Sequence, residues 1–257
     1  MIPKNRSPRI LLFDIETSPI LARVWGLWEQ NVVYKEEEWH MLSFACKWLE
    51  EKETHVFALP DYKGYKKDMN NDLELCKELW NWINEADIVI AHNGDEFDIK
   101  KANARFIYHG LKPTKFYLSI DTKKVAKKYF KFDSNSLSSL GEYLSLGEKV
   151  DTGGYSLWKG CLLGDPASWK KMKIYNKQDV VLLEKVYLTL RPWMKTHPVV
   201  STEISNCPNC DSTKMVKDGF YRSGSGLTYQ KWECQSCGAC SRSRIAEKVK
   251  PITKNGL

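Results

Sequence analysis

Arg9-Ile10-Leu11-Leu12-Phe13-Asp14-Ile15-Glu16-Thr17 is the stretch whose reading decides the fold. Ile10 to Ile15 is an apolar run rich in strand formers, broken only by Asp14, and Ser18-Pro19 stops it. Side chains alternate across a strand, so Ile10, Leu12, Asp14 and Glu16 share one face and Leu11, Phe13 and Ile15 the other. Apolar residues on both faces predict a central strand covered on both sides. Two carboxylates then stand together at the end of a buried strand, which is costly unless something positive joins them. One reading is a divalent-metal site; the other is that Asp14 and Glu16 turn outward where the strand ends. The strand alone leaves both open, and any further ligands have to come from elsewhere in the chain.

A chain of 257 residues holds one sizeable core plus a small module. Its 42% hydrophobic and 28% charged content is ordinary for a soluble globular protein. The N-terminus is polar and basic without an apolar signal core, and no apolar run approaches the roughly 20 residues that span a bilayer. The expectation is a soluble, cytoplasmic protein with no membrane contact. Net charge is +7, and the positive excess is denser after residue 200. Five of the eight cysteines cluster between Cys207 and Cys240, and four thiolates around one zinc ion would lower that tail's charge by about two. The charge fits a polyanionic partner without establishing one.

Beyond the opening strand, Leu21 to Leu27, Met41 to Leu49 and the weaker Val56 to Leu59 read as an antiparallel meander, with Glu36-Glu37-Glu38 as a solvated loop. Asn70 to Glu85 has apolar residues at helical spacing, and Asp87 to Ala91 is a short buried strand. Phe97 to His109 reads as a helix, Tyr117 to Asp121 as a strand, and Thr122 to Phe130 and Ser136 to Leu144 as helices, the last N-capped by Ser136. Lys149 to Gly164 is a glycine-containing connection, and a long helix from Pro166 or Ala167 to about Met194 closes the core. The order predicts an α/β domain, a mixed sheet flanked by helices, over residues 1–198. Val199 to Asn206 reads as a linker into a second module, 199–257.

Two further stretches carry candidate ligands. In His92-Asn93-Gly94-Asp95-Glu96-Phe97-Asp98 a turn follows a buried strand and opens a helix. Asp98 falls in that helix's first turn, where a carboxylate is well placed; Asn93 is suited to fix the turn and Phe97 to pack under it. An ordinary acidic helix start fits as well. In Tyr175-Asn176-Lys177-Gln178-Asp179, Tyr175 and Asp179 are four apart and share a helix face that continues through Leu182, Leu183 and Val186. Asp179 is then a carboxylate on an apolar stripe and needs a partner, a metal or a lysine.

The three pieces, in this order, resemble the DEDD (DnaQ-like) superfamily of 3′–5′ exonucleases, which has the ribonuclease H fold. Asp14 and Glu16 match its D-x-E. Asn93, Phe97 and Asp98 match its second motif. Tyr175 and Asp179 match the Y-x(3)-D of the tyrosine branch, whereas Ile174 excludes the histidine branch. The likeness covers roughly residues 8–195 and is nearest to the phage and YprB-like exonuclease group; a phage-encoded member would act in the host cytoplasm. It implies metal-dependent 3′–5′ hydrolysis of single-stranded DNA or frayed 3′ ends. Two Mg²⁺ or Mn²⁺ ions would be held by Asp14, Glu16, Asp98 and Asp179, with Tyr175 orienting the water and Asn93 and Phe97 meeting substrate. The alternatives are an endonuclease or a 3′–5′ exoribonuclease using the same site, or a non-catalytic nucleic-acid-binding scaffold. Asp121 is an extra acid, with helix capping at Thr122 the simpler role. Lys123, Lys124, Lys127, Lys128 and Lys131 suit either a nucleic-acid backbone or a solvated face.

The tail carries Cys207-Pro-Asn-Cys210 and Cys234-Gln-Ser-Cys237, a pattern resembling a zinc ribbon with one structural Zn²⁺. About 50 residues bury little core unless metal holds them. Cys240 is a spare thiol or a substitute ligand for Cys237. Between the knuckles, basic and aromatic residues interleave, which suits single-stranded nucleic acid or a replication or recombination protein partner.

Overall fold

A computed structural model describes residues 6–28, 31–49, 51–147 and 153–247. Two compact units emerge, one of Pro8–Tyr187 and one of the described residues of Met1–Ser7 and Leu188–Leu257.

The first unit is built around β1 (Ile10–Thr17). Ile10 to Phe13 and Ile15 are all buried, as residues covered on both faces must be. Next in the chain are β2 (Leu21–Arg23) and β3 (Tyr34–Glu37), which pair with each other in a separate antiparallel ribbon. The expected strand Leu21 to Leu27 therefore ends at Arg23 and stays out of the main sheet. Beyond it Trp25 and Trp28 face solvent, 89% and 84% exposed. The acidic run expected as a loop lies partly in β3, where Glu36 pairs with Arg23 and Glu38 with Lys35.

β4 (Met41–Trp48), buried along its whole length, runs antiparallel to β1, and β5 (His55–Ala58) pairs with its outer edge. The chain then turns α/β. α1 (Leu73–Glu85) packs Leu75, Leu79 and Ile83 inward and leads into β6 (Ile88–Ala91), parallel to β1. α2 (Asp98–Tyr108) leads to β7 (Leu118–Asp121), parallel to β6. The sheet order is β5-β4-β1-β6-β7, a mixed five-stranded sheet with β1 in the middle.

α3 (Thr122–Tyr129) and α4 (Leu137–Tyr143) follow, with Ser136 Oγ accepting the Ser139 N–H as the expected cap. The stretch expected as a connection holds a helix, α5 (Tyr155–Leu162), with Leu157 and Cys161 buried; Asp151 and Thr152 lie outside the described residues. Gly160 sits inside α5 because a Cβ there would come within 2.0 Å of Ser168 Oγ, so here a glycine permits close helix approach instead of ending a helix. α6 (Pro166–Leu190) is the long closing helix, continued by a short 3₁₀ turn at Arg191–Trp193.

In the second unit β8 (Met215–Arg222), β9 (Thr228–Cys234) and β10 (Cys240–Arg242) form an antiparallel sheet in the order β10-β9-β8. The segment expected as a linker folds onto the first knuckle. Val200 N–H donates to the Pro208 carbonyl at 2.8 Å, and Thr202 donates its N–H and hydroxyl to Asp211 at 3.1 and 3.0 Å. No helix among the described residues is long and apolar enough to cross a membrane.

Candidate functional site

The carboxylates of Asp14 and Glu16 lie at the C-terminal end of β1, where pairing with β4 shifts register between Glu16 and Thr17. α6 brings Asp179 to them: Asp14, Glu16 and Asp179 each offer an oxygen, all within 4.8 Å of one another. Asp179 is 3% exposed and the other two are half-buried. Three carboxylates at this spacing repel one another, and an all-oxygen donor set of this kind suits hard divalent cations such as Mg²⁺. The donor set therefore fits the metal that the sequence resemblance implies.

Asp98 stands at the first turn of α2 and is buried. β6 pairs with β1 only as far as Leu12, and beyond that the Asp98 carboxylate accepts the Ile15 N–H at 3.1 Å. Asp98 thus reaches β1 between Asp14 and Glu16 in sequence without joining the trio. Burial, with the Asp121 charge adding to it, pushes its pKa up to about 7 against backbone hydrogen bonds that oppose the shift.

Tyr175 lies one turn before Asp179 on the same face of α6, 7% exposed, with the Trp158 ring edge-on to it at 6.0 Å. Burial and then the charges of Glu16, Asp179 and Asp14 raise its phenol far above the usual value, so it stays a neutral O–H donor. Trp158 thus packs against a site residue.

Asn176, which belongs to none of the carboxylate motifs, also joins the site. It is fully buried, and its carboxamide donates to Asp14 Oδ2 at 2.8 Å and to the Asp14 carbonyl at 3.2 Å. Its oxygen accepts the Ser43 hydroxyl of β4 at 3.0 Å. It follows Met172 by four residues and precedes Val180 by four, both fully buried, so an amide on a buried face was the available signal.

The second-motif turn is built differently from expectation. Asn93 takes a left-handed φ of 67°, which asparagine tolerates, and acts through its backbone. Its carbonyl accepts the Glu96 and Phe97 N–H groups, and its N–H donates to Asp121 Oδ1 at 3.0 Å. Phe97 is 39% exposed. Asp121 also accepts the Lys123 and Lys124 N–H groups, so it caps α3 and ties that helix to the turn. In the basic run, Lys124 is paired with Asp95 and Glu96.

Asp72, Cys76 and His109 also bring donors together. There Arg105 already supplies the cation, donating through Nε to Asp72 Oδ2 at 2.8 Å and through a second nitrogen to Oδ1. A guanidinium in contact with the carboxylate disfavours a metal ion at that point.

In the second unit Cys207, Cys210, Cys234 and Cys237 converge, while exposed Cys240 stays outside the group. Sulfur separations of 3.7 Å for Cys207–Cys237 and Cys210–Cys234 are far too long for disulfides. They match the ~3.8 Å edge of a tetrahedron with Zn–S of about 2.3 Å. Burial raises the Cys207 and Cys237 thiols, whereas hydrogen bonds from the Cys237 and Ser236 backbone and from the Cys207 and Cys210 thiols bring Cys234 down to about 7 against its own burial. The cluster is consistent with a zinc ribbon.

A family model described as the RNase_H superfamily matches residues 11–191. The chain belongs to the RNase H superfamily. Among solved structures, it is similar to the family B DNA polymerase from the hyperthermophilic archaeon Pyrobaculum calidifontis, at a TM-score of 0.50 and 14% identity. That match covers 73% of this chain and 26% of the polymerase, so the chain spans about a quarter of that protein's length, and the likeness is one of fold. No curated protein sequence matches. Membership of this superfamily supports a nuclease.

Proposed function

We propose that the chain is a metal-dependent 3′–5′ exonuclease acting on single-stranded DNA or frayed 3′ ends. The observation that carries this reading is the convergence of Asp14, Glu16 and Asp179 from β1 and α6, with Tyr175 one helical turn away. In this reading Asp14, Glu16, Asp98 and Asp179 hold two Mg²⁺ or Mn²⁺ ions. The bound ions supply Lewis acidity at the scissile phosphate and at the attacking water. Asn176 fixes the Asp14 carboxylate. Tyr175 donates a hydrogen bond that orients the water; a phenol with an ordinary pKa near 10 is a poor base at pH 7. Phe97, partly exposed beside Asp98, is available to meet the terminal base, and Asn93 sets the turn that presents it. The four cysteines hold a structural Zn²⁺.

The test uses single-stranded DNA labelled at its 5′ end, with Mg²⁺ or Mn²⁺, beside an Asp14→Ala control. A ladder shortening one nucleotide at a time, absent from the control, is the expected result. Discrete internal cuts, or cleavage of RNA alone, would replace the exonuclease with another nuclease of the same site. Cleavage unaffected by Asp14→Ala would refute the assignment.

A further inference from the structure

On the ribbon sheet, Tyr221 of β8 stands directly opposite Tyr229 of β9, and Arg242 of β10 opposite Lys231 of β9. Residues two apart on a strand share a face, so Tyr221, Tyr229, Lys231 and Arg242 lie together, while Phe220, paired with Gln230, lies on the opposite face. The two tyrosine rings are 6.2 Å apart between centroids and tilted by 38°. The Arg242 guanidinium sits 4.1 Å from the Tyr229 ring centroid and 5.6 Å from that of Tyr221. Tyr221 is 43% exposed and Arg242 is exposed.

From Lys214 to Arg244 there are six lysines and arginines against two carboxylates, Asp218 and Glu233. Asp218 is engaged by Lys231 at 2.8 Å. The open face thus combines paired π-surfaces with unneutralised guanidinium charge. Base stacking on aromatic rings plus a cation for the adjoining phosphate is how single-stranded nucleic acid is held without reading its sequence. β8 is exposed from Val216 to Arg222, so this side of the sheet is open to an incoming strand.

We propose that the Tyr221–Tyr229–Arg242 face of the ribbon is a stacking platform for single-stranded nucleic acid, a binding site separate from the carboxylate cluster. It rests on the nucleic-acid substrate of the function proposed above and extends it: one unit would cut while the other holds the strand.

The test measures fluorescence anisotropy of a 5′-labelled 20-nucleotide oligothymidylate with the full chain in metal-depleted buffer, no divalent cation and no chelator added, so that the strand is not cut and zinc stays bound. Tyr221→Ala and Tyr229→Ala are each expected to weaken binding about tenfold with an unchanged salt slope. Tyr229→Phe keeps the ring and is expected to bind like wild type. Arg242→Gln is expected to weaken binding and to reduce the slope of log affinity against log salt by about 0.7, the value for one single-strand phosphate contact. Phe220→Ala is the opposite-face control. Zinc content is measured for each; should an alanine variant lose its zinc, Arg242→Gln at the exposed sheet edge carries the decision. Affinity unchanged in the tyrosine and arginine variants, or an equal loss in Phe220→Ala, overturns the platform. Binding that depends on Tyr229 in a chain that cuts nothing would sink the exonuclease and leave the platform standing.

Discussion

Asp179→Asn should make the metal-free protein more stable while abolishing its activity. The nearest oxygens of Asp14, Glu16 and Asp179 lie within 4.8 Å of one another. At an effective dielectric constant of about 20, two unit charges at ~4.8 Å repel by about 3.5 kcal/mol. Asp179 interacts with both partners, but Asp14 and Glu16 are half-buried and solvent screens their share. A net gain of about 2 kcal/mol is the reasonable figure after that discount, equivalent to ~4–8 °C in a unit of this size. If the trio instead takes up a proton to relieve the repulsion, the cost remains as proton uptake and the sign is the same. Asparagine keeps the shape and can still accept from the Tyr175 hydroxyl. Thermal melting followed by circular dichroism in metal-depleted, low-salt buffer reads the difference. Saturating Mg²⁺ should then raise the wild-type melting temperature and leave the variant nearly unmoved. A variant that melts below wild type without metal would refute the reasoning, because it would show that the attractions Asp179 makes in the fold outweigh its repulsion from Asp14 and Glu16.

Asn176→Ala removes a buried carboxamide that joins Asp14 to Ser43; charged hydrogen bonds of this kind predict a loss of about 2–3 kcal/mol in denaturant melts and a raised Mg²⁺ requirement for half-maximal cleavage. Unchanged stability and metal dependence would remove Asn176 from the site. Cys234→Ser should release zinc to a colorimetric chelator and unfold the ribbon sheet, while Cys240→Ser should retain it, since Cys240 lies outside the four-cysteine group. Burial lowers His197 to about 4, so the folded state keeps it neutral while the unfolded chain takes up its proton below about 6.5. Stability from this group is therefore complete above pH 6.5 and is lost as pH falls toward 4. Melting curves of wild type and His197→Gln should diverge over that window, with the variant losing less; parallel curves would contradict the assignment.

The parts of the fold readable from sequence were those where burial leaves a one-way pattern. β1 was legible because its apolar residues occupy both faces, and α6 because Tyr175, Asp179, Leu182, Leu183 and Val186 fall on one stripe that the structure buries. Ser136 declared its helix by local chemistry alone. The ribbon of β2 and β3 misled because Trp25, Leu27 and Trp28 count as core in any hydropathy reading, yet they are exposed, and no local pattern separates a covered aromatic from an uncovered one. α5 was missed because Gly153, Gly154, Gly160 and Gly164 read as breakers; Gly160 is there for the approach of Ser168, a long-range reason invisible in its own neighbourhood. The three carboxylate motifs were legible as types and spacings. The bond from Asn176 to Asp14 was not, since it joins residues 162 apart in sequence and shows only once α6 packs on β1.

The measurement that bears most directly on the account is a crystal structure of the protein with Mn²⁺, using anomalous scattering at the manganese and zinc edges to separate the two metals. The account predicts two manganese ions held by Asp14, Glu16, Asp98 and Asp179, and zinc alone among Cys207, Cys210, Cys234 and Cys237. Manganese absent from these carboxylates, or found only beside Asp72, Cys76 and His109, would contradict it.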